Sequence, residues 1–231
     1  MNISFSSFSG PINGPAVVSP AVNHALICLH GFGSSGDDLI QLAAPLKATL
    51  GNLAETLAVY APHAPAESPG GMGRQWFRDM GWTFRDAQGL TSLTPQLDSF
   101  IAQVAAMHDI PTTHIALLGF SQGGMTLFHC LPQLQHQPGA VITCCGAVSV
   151  APTFPANQTN KPPLLILHGE DDDVLPADAS VEAAATYRAH GYPVTLEILP
   201  HLGHGIDAAT LAHISVFLQN IWQPMSQIDR T

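Results

Sequence analysis

The sequence predicts an α/β fold with a mostly parallel central sheet and helices on both faces of that sheet. Two observations lead to this prediction. Short apolar runs typical of buried strands alternate with segments of helical periodicity along the whole chain of 231 residues. In addition, a glycine-containing turn, 119–123, joins one of these runs directly to a predicted helix. The chain shows no internal repeat and no dividing linker, so we expect one domain over residues 1–231.

The first part of the chain is predicted to begin with an edge strand near 3–8 and a turn-rich connection over 11–20. His24–Leu29 is a short apolar run typical of a buried strand. Asp37 and Asp38 then favour a helix start, and Pro45 should kink this helix or divide it into two pieces. A strand is expected over 57–61. The Gly- and Pro-rich segment 62–93 is predicted as a long loop. A loop of this length is usually functional, and an equally weighted interpretation is a solvated excursion that packs its aromatic residues on the core.

The remaining elements continue the alternation. Thr94 and Pro95 favour a helix entry, and apolar residues at helical spacing follow them. The strand at 115–118 leads through the glycine turn into a helix that should stop near Pro132. Later strands are expected within 140–150, over 164–167 and over 194–199, and later helices over 177–189, closed by Gly191, and from about Asp207.

The composition excludes some classes of function. Charged residues make up 10% of the chain and hydrophobic residues 46%, whereas charged residues usually make up roughly a quarter. We expect a large core and a sparingly charged surface, with room for an apolar patch that would suit a hydrophobic substrate. The net charge of -10 argues against nucleic-acid binding.

The cysteines and the amino terminus indicate the compartment. The four cysteines are poorly placed for a disulfide framework, because three lie in apolar runs and two are adjacent; they are Cys28, Cys130, Cys144 and Cys145. We interpret them as buried free thiols in a reducing compartment. Residues 1–10 lack the pattern of a secretory signal, and no apolar stretch reaches the length of a membrane span. A cytoplasmic protein without stable membrane insertion is therefore expected.

The turn Gly119-Phe120-Ser121-Gln122-Gly123 has the G-x-S-x-G pattern of a nucleophile elbow between a strand and a helix. The turn is sharp enough to strain its central residue, and flanking glycines relieve the collisions. Such a turn exposes the Ser121 hydroxyl at the carboxyl end of a strand, where open parallel sheets bind their ligands. The helix start beside it favours negative charge.

A serine hydroxyl needs a base and a group that orients the base, and both should come from later strand ends in the order acid, histidine. The run 168–176 follows one predicted strand and contains four acidic residues at 170–173. The run 200–206 follows the last strand and contains His201 and His204. The sequence therefore supplies candidates for both partners of Ser121.

With these segments, the chain resembles the phospholipase/carboxylesterase family of α/β-hydrolases, which includes acyl-protein thioesterases and bacterial serine esterases. The matching segments span nearly the whole chain: 29–39 (LHGFGSSGDDL), 74–77 (RQWF), 119–124 (GFSQGG), 168–176 (HGEDDDVLP) and 203–206 (GHGI). The resemblance implies an α/β-hydrolase fold and a serine hydrolase that cleaves carboxylic esters, of short to medium acyl chains, through an acyl-enzyme. It implies no cofactor and no metal.

The resemblance also implies roles for individual residues. Ser121 would be the nucleophile and His204 the general base, since the family's catalytic histidine follows a glycine, here Gly203. Asp172 would be the orienting acid, because the family pattern H-G-x-x-D-x-x-V-P places the acid four residues beyond the histidine. Asp173 stands where the family commonly has proline and stays open as a substitute for Asp172.

Three further site residues are expected. The backbone N–H groups of Gln122, which follows the nucleophile, and of Phe32, which follows His-Gly in the family, would form the oxyanion hole. Trp76 matches an aromatic residue that lies beside the acyl site in similar enzymes and is expected to bind substrate. His30 and His168 are interpreted as side chains that stabilise tight His-Gly turns.

Alternative functions are weighed against this one. A metal hydrolase is one alternative, because His201-x-x-His204 and the acidic run 170–173 contain possible metal ligands. The two histidines are expected on a loop, however, and a loop lacks the helical geometry by which H-E-x-x-H places its ligands on one face. A non-catalytic binding module of the same fold would usually have lost the serine or the histidine. Among enzymes, an acyl-protein thioesterase or a lysophospholipase is the alternative to a carboxylesterase. The expected partner is a small-molecule or lipid ester, and a homodimer is left open.

Overall fold

The computed structural model of the chain describes residues 5–8, 12–78 and 87–222. The first two residues of the predicted edge strand and residues 79–86 of the predicted loop lie outside these ranges. Within them, eight strands form one sheet in the order β1-β2-β4-β3-β7-β8-β9-β10. The strands are β1 (Phe5–Phe8), β2 (Gly14–Val17), β3 (His24–Leu29), β4 (Leu57–Tyr60), β7 (Ile115–Phe120), β8 (Ala140–Cys144), β9 (Leu164–Gly169) and β10 (Val194–Leu199), while β5 (Ala66–Glu67) and β6 (Arg74–Gln75) form a separate hairpin.

The sheet is parallel from β4 to β10, and β1 and β2 add an antiparallel edge. Its register brings the carboxyl ends of the inner strands to one level. Leu29 of β3 pairs with Gly119 of β7, and Phe120 pairs with Cys144 of β8. The loops that follow β3, β7, β8, β9 and β10 therefore open at the same edge of the sheet, where ligands of parallel sheets bind.

Helices cover both faces of the sheet, as predicted. The helices are α1 (Gly36–Leu39), α2 (Ala43–Thr49), α3 (Ala87–His108), α4 (Gln122–Cys130), α5 (Asp178–Ala189) and α6 (Ala208–Trp222). One hydrophobic cluster packs α3, α4 and α5 against the sheet through buried residues such as Val104, Leu127 and Ala183. The other packs α2 and α6 against the opposite face through residues such as Leu46 and Ile214.

Most predicted elements are confirmed, including the helix divided near Pro45, where a 3-10 turn at Ile40–Leu42 separates α1 from α2. The predicted connection over 11–20 is wrong in part, because it contains the strand β2 between β1 and β4. Pro15 is tolerated there because its carbonyl accepts from Ala61 N–H at 3.0 Å, a bond that needs no donor from proline. Gly14 lies so close to that segment that an added Cβ would fall 2.4 Å from the Ala61 oxygen.

The helix predicted to enter at Thr94 and Pro95 begins earlier, at Ala87. Pro95 therefore lies inside α3. The buried residues Leu90 and Leu93 continue the apolar stripe of this helix toward its amino terminus. The free energy gained by burying these two side chains offsets the cost of the helical hydrogen bond that Pro95, which has no N–H, cannot form. The predicted loop 62–93 is correspondingly shorter, and it contains the β5–β6 hairpin.

Candidate active site

Ser121 occupies the turn between β7 and α4 with φ 51° and ψ −116°, a strained backbone for a residue with a side chain. The glycines around it are required by close packing. A Cβ on Gly119 would lie 2.6 Å from the Gly123 backbone, and a Cβ on Gly123 would lie 2.1 Å from the Leu29 oxygen. The G-x-S-x-G pattern thus reflects three backbones that pass within contact of one another, and it has the strained geometry predicted for a nucleophile elbow.

Ser121, His204 and Asp172 form a continuous hydrogen-bonded chain. His204 Nε2 lies 2.9 Å from Ser121 Oγ, and His204 Nδ1 lies 2.7 Å from Asp172 Oδ2. Because a carboxylate only accepts, His204 Nδ1 carries the hydrogen, and Nε2 is left as the acceptor for the serine hydroxyl. The structure therefore brings together the three side chains that the sequence selected, in an arrangement suited to removing the Ser121 proton.

The Asp172 carboxylate is fully buried and held at both oxygens. Oδ1 accepts from the backbone N–H groups of Val174 and Leu175, each at 2.9 Å. Burial acts to raise the pKa of Asp172, but the hydrogen bonds from Leu175, His204 and Val174 together hold that pKa below its ordinary value. The group is therefore ionised at neutral pH and accepts the hydrogen bond from His204 Nδ1.

His168 contacts the same carboxylate, which its interpretation as a turn-stabilising residue did not include. Its Nε2 lies 3.1 Å from Asp172 Oδ2 and 2.8 Å from the Leu175 carbonyl, and its Nδ1 lies 2.6 Å from Ser180 Oγ. The ring is completely buried. The i,i+4 spacing of His168 and Asp172 is the only signal in the sequence that could have indicated this contact.

The competing residues lie apart from this chain. The His201 side chain is 94% exposed, and its Nδ1 lies 4.0 Å from Asp171 Oδ2. Asp173, considered as a substitute for Asp172, is exposed, as is Glu170. Asp172 is thus the buried member of the acidic run, and its loop directs it toward His204.

The loop after β3 places Gly31, the residue before Phe32, against the serine turn. A Cβ on Gly31 would come within 3.4 Å of Ser121 Cβ and 3.1 Å of Phe120 Cδ1. Across the described ranges, neither the Phe32 N–H nor the Gln122 N–H donates to another group of the protein. Phe32 follows β3 and Gln122 follows β7, at the edge of the sheet that carries Ser121, and their role as oxyanion-hole donors stays a prediction.

The segment 74–77, part of the family signature, holds this loop in place. Gly33 N–H donates to the Arg74 carbonyl at 2.9 Å, and Arg74 N–H donates to the Ser34 carbonyl at 2.8 Å. Trp76 is 4% exposed; its indole N–H donates to the His30 carbonyl at 2.8 Å, and its backbone N–H donates to Gln122 Oε1 at 2.8 Å. Trp76 therefore joins the loop after β3 to the first residue of α4.

His30 matches its interpretation as a turn-stabilising residue. Its Nε2 accepts from Ala64 N–H at 3.0 Å, so its Nδ1 carries the hydrogen and donates to the Gly31 carbonyl at 2.7 Å. Burial lowers the pKa of His30 to about 4. The ring therefore stays neutral at the base of the Phe32 loop.

Cys145 directly follows β8 and lies beside the Asp172–His204 pair. Its Sγ is 3.7 Å from the Gly205 carbonyl, and burial raises the pKa of the thiol to about 11. Cys28, Cys130, Cys144 and Cys145 are all buried and free, as predicted. Cys145, Asp172 and His204 are the group of potential metal ligands that the described residues bring together. His201 is absent from it, contrary to the metal-hydrolase alternative.

Comparison with known proteins extends the likeness over nearly the whole chain. The family model described as Phospholipase/Carboxylesterase matches residues 12–222. The crystal structure of esterase PE8 superposes with a TM-score of 0.82 at 30% identity, covering 91% of this chain and 99% of that one. The esterase YpfH of Escherichia coli is 25% identical over 190 residues, 79% of this chain and 76% of its own length. Acyl-protein thioesterase 1 of Debaryomyces hansenii is 25% identical over 220 residues, 89% of this chain and 94% of its own length.

The eight-stranded sheet, the strained serine turn and the hydrogen-bonded chain behind it agree with this match. Within the residues that the structure covers, no helix is both long and apolar enough to span a bilayer. The chain belongs to the phospholipase/carboxylesterase family of α/β-hydrolases and is a hydrolase of the carboxylesterase type.

Proposed function

We propose that the protein hydrolyses carboxylic esters with short to medium acyl chains through an acyl-enzyme on Ser121. The observation that supports this most strongly is the chain of contacts from Ser121 Oγ to His204 at 2.9 Å and from His204 to Asp172 at 2.7 Å. His204 Nε2 takes the proton as Ser121 Oγ bonds to the ester carbonyl, and then gives it to the leaving alcohol. Water repeats the sequence and releases the acid.

Charge on the carbonyl oxygen would be stabilised by the backbone N–H groups of Phe32 and Gln122. Trp76 is proposed to bind substrate beside the acyl site while its indole N–H holds the His30 carbonyl. We expect one α/β-hydrolase domain over residues 1–231, a cytoplasmic location, and either a monomer or a homodimer. The partner is a small-molecule or lipid ester.

Thioester or lysolipid hydrolysis is the second candidate. Two observations favour it: several relatives are named acyl-protein thioesterase 1, and apolar side chains near the site are exposed. Phe32 and Val174 are each 45% exposed and Met72 is 79% exposed. Such side chains can contact a long acyl chain.

The deciding experiment compares kcat/KM for p-nitrophenyl esters from acetate to palmitate with that for an acyl thioester and a lysolipid. We expect the highest value on a short or medium ester, and loss of that activity in Ser121→Ala. A clear preference for the thioester or the lysolipid would replace the ester assignment. No turnover of any of them by folded protein would favour a non-catalytic module.

A further inference from the structure

Cys145 lies among the proposed catalytic side chains, although ester hydrolysis as described makes no use of it. Its Sγ, a carboxylate oxygen of Asp172 and a ring nitrogen of His204 all lie within 4.8 Å of one another. The thiol donates to the Gly205 carbonyl at 3.7 Å, and the residue is 1% exposed. A sulfur, an imidazole nitrogen and a carboxylate oxygen therefore face one small volume.

The backbone explains why the thiol lies there. Cys145 has φ 50°, in the left-handed region that side chains rarely adopt, and its N–H donates to the Leu167 carbonyl at 2.9 Å. Its neighbour Cys144 ends β8 and packs into the core. The turn at Cys145 thus ends the strand and leaves the thiol beside Asp172 and Gly205.

We propose that Cys145 Sγ, His204 Nδ1 and Asp172 Oδ2 form an inhibitory binding site for a thiophilic divalent cation such as Zn²⁺ or Cd²⁺. These are the three ligand types that zinc takes from proteins, at roughly 2.3 Å for sulfur and about 2.0 Å for nitrogen and oxygen. Small side-chain movements would bring the three ligand atoms to these distances. Water would complete the tetrahedron, and the partly exposed His204 side provides access.

Metal binding would inactivate the proposed base without any redox step. The Cys145 S–H bond breaks, its proton passes to solvent, and a metal–sulfur bond forms. The hydrogen on His204 Nδ1 moves to Nε2 as Nδ1 bonds to the metal, which ends its hydrogen bond to Asp172. Nε2 then donates instead of accepting and cannot take the Ser121 proton.

The test uses the full chain after EDTA treatment and dialysis, with Zn²⁺ or Cd²⁺ as probe and hydrolysis of p-nitrophenyl butyrate as one readout. We expect inhibition that EDTA reverses. In Cys145→Ala, or Cys145→Ser if the first variant folds poorly, the metal concentration for half-inhibition should rise roughly tenfold or more, relative to each variant's own metal-free rate. Cys130→Ala removes another buried thiol, one that partners Thr94, and should match the wild type.

This inference rests on the proposed function only for the inhibition readout, which needs esterase activity. A second readout detects the bound metal without any activity. Cd²⁺ bound to a thiolate gives an ultraviolet charge-transfer absorption, which should appear in the wild type and in Cys130→Ala and be absent from the Cys145 variants. Equal inhibition of wild type and Cys145 variants, inhibition by Mg²⁺ at the same concentration, or no cadmium absorption in the wild type would overturn the proposal. Absorption without esterase activity would support the metal site and contradict only the ester assignment.

Discussion

The Asp172 carboxylate receives two backbone N–H groups on one oxygen and contacts the rings of His204 and His168 on the other. These contacts fix the orientation of the carboxylate, so that Oδ2 faces His204. His168 does not touch Ser121, so we regard it as a positioning residue whose effect on catalysis passes through Asp172.

Replacing His168 should therefore reduce turnover more than substrate binding. We expect His168→Leu to lower kcat by roughly tenfold with little change in KM, because Asp172 loses one of its orienting contacts. His168→Gln, whose amide can donate near the position of Nε2, should recover part of kcat. Steady-state kinetics on folded variants, checked by circular dichroism, measure this. A change confined to KM, or no rescue by glutamine, would indicate that His168 acts on structure alone.

Trp76 has two separable contributions, an indole hydrogen bond and a large apolar ring. Trp76→Phe keeps a ring but removes the donor to the His30 carbonyl. We expect kcat/KM to fall roughly fivefold, the equivalent of about 1 kcal/mol for one hydrogen bond, with the preferred acyl length unchanged. Trp76→Ala should also change the preferred acyl length across the ester panel. A Trp76→Ala enzyme with wild-type chain-length preference would exclude Trp76 from the acyl site.

Among the elements, α3 is unusual because it carries Pro95 within its 22 residues. An interior proline lacks the N–H that a helix uses and disfavours the helix by roughly 3 kcal/mol relative to alanine, while its rigidity in the unfolded chain returns about 1 kcal/mol. We expect Pro95→Ala to raise the free energy of unfolding by about 1–2 kcal/mol. Urea titration measures this.

The control for α3 is Ser99→Ala, an exposed position one turn later, which should change the free energy of unfolding by only a few tenths of a kcal/mol, from helix propensity alone. If Pro95→Ala were instead destabilising, proline would be acting as a favourable first residue, and the helix would begin at Thr94 and Pro95 as the sequence suggests.

Elements differ in how far their sequences reveal them. β3 and β10 were predicted with the bounds that they have. β3 lies inside the sheet and is a continuous apolar run, whereas β10 lies at the edge of the sheet, is only partly buried, and alternates apolar with polar residues. β2 was missed, because Gly14 and Pro15 are typical of turns and the strand depends on pairing with β4, far along the chain. In the site, Ser121, Asp172 and His204 belong to short motifs, whereas the contact between His168 and Asp172 appears only when the loop after β9 is folded.

At the scale of the whole molecule, buried histidines link stability to pH. Burial, with a smaller effect from nearby His114, lowers the pKa of His24 to about 4, and burial lowers that of His30 to about 4 as well. In the unfolded chain both have pKa values near 6.5. Between these limits the unfolded chain binds protons that the folded protein does not, so the free energy of unfolding falls as the pH drops from about 6.5 to about 4 and is fully retained above that window.

Urea unfolding at pH 7 and pH 5 measures this loss. His24→Phe keeps a ring between His114 and Trp222, which lie 4.9 Å and 4.6 Å from the His24 ring, but removes the titration. We expect its stability to fall less than that of the wild type over the same pH change. An identical loss in both proteins would show that His24 does not contribute to acid sensitivity.

We propose that Ser121, activated by His204, which Asp172 orients, forms the covalent intermediate. The most direct test is mass spectrometry of the intact and digested protein after reaction with a fluorophosphonate, run beside Ser121→Ala and His204→Ala. We expect one adduct, located on Ser121 in the wild type, absent from Ser121→Ala and formed far more slowly in His204→Ala. An adduct on another residue, or labelling of Ser121 at the wild-type rate without His204, would contradict the account.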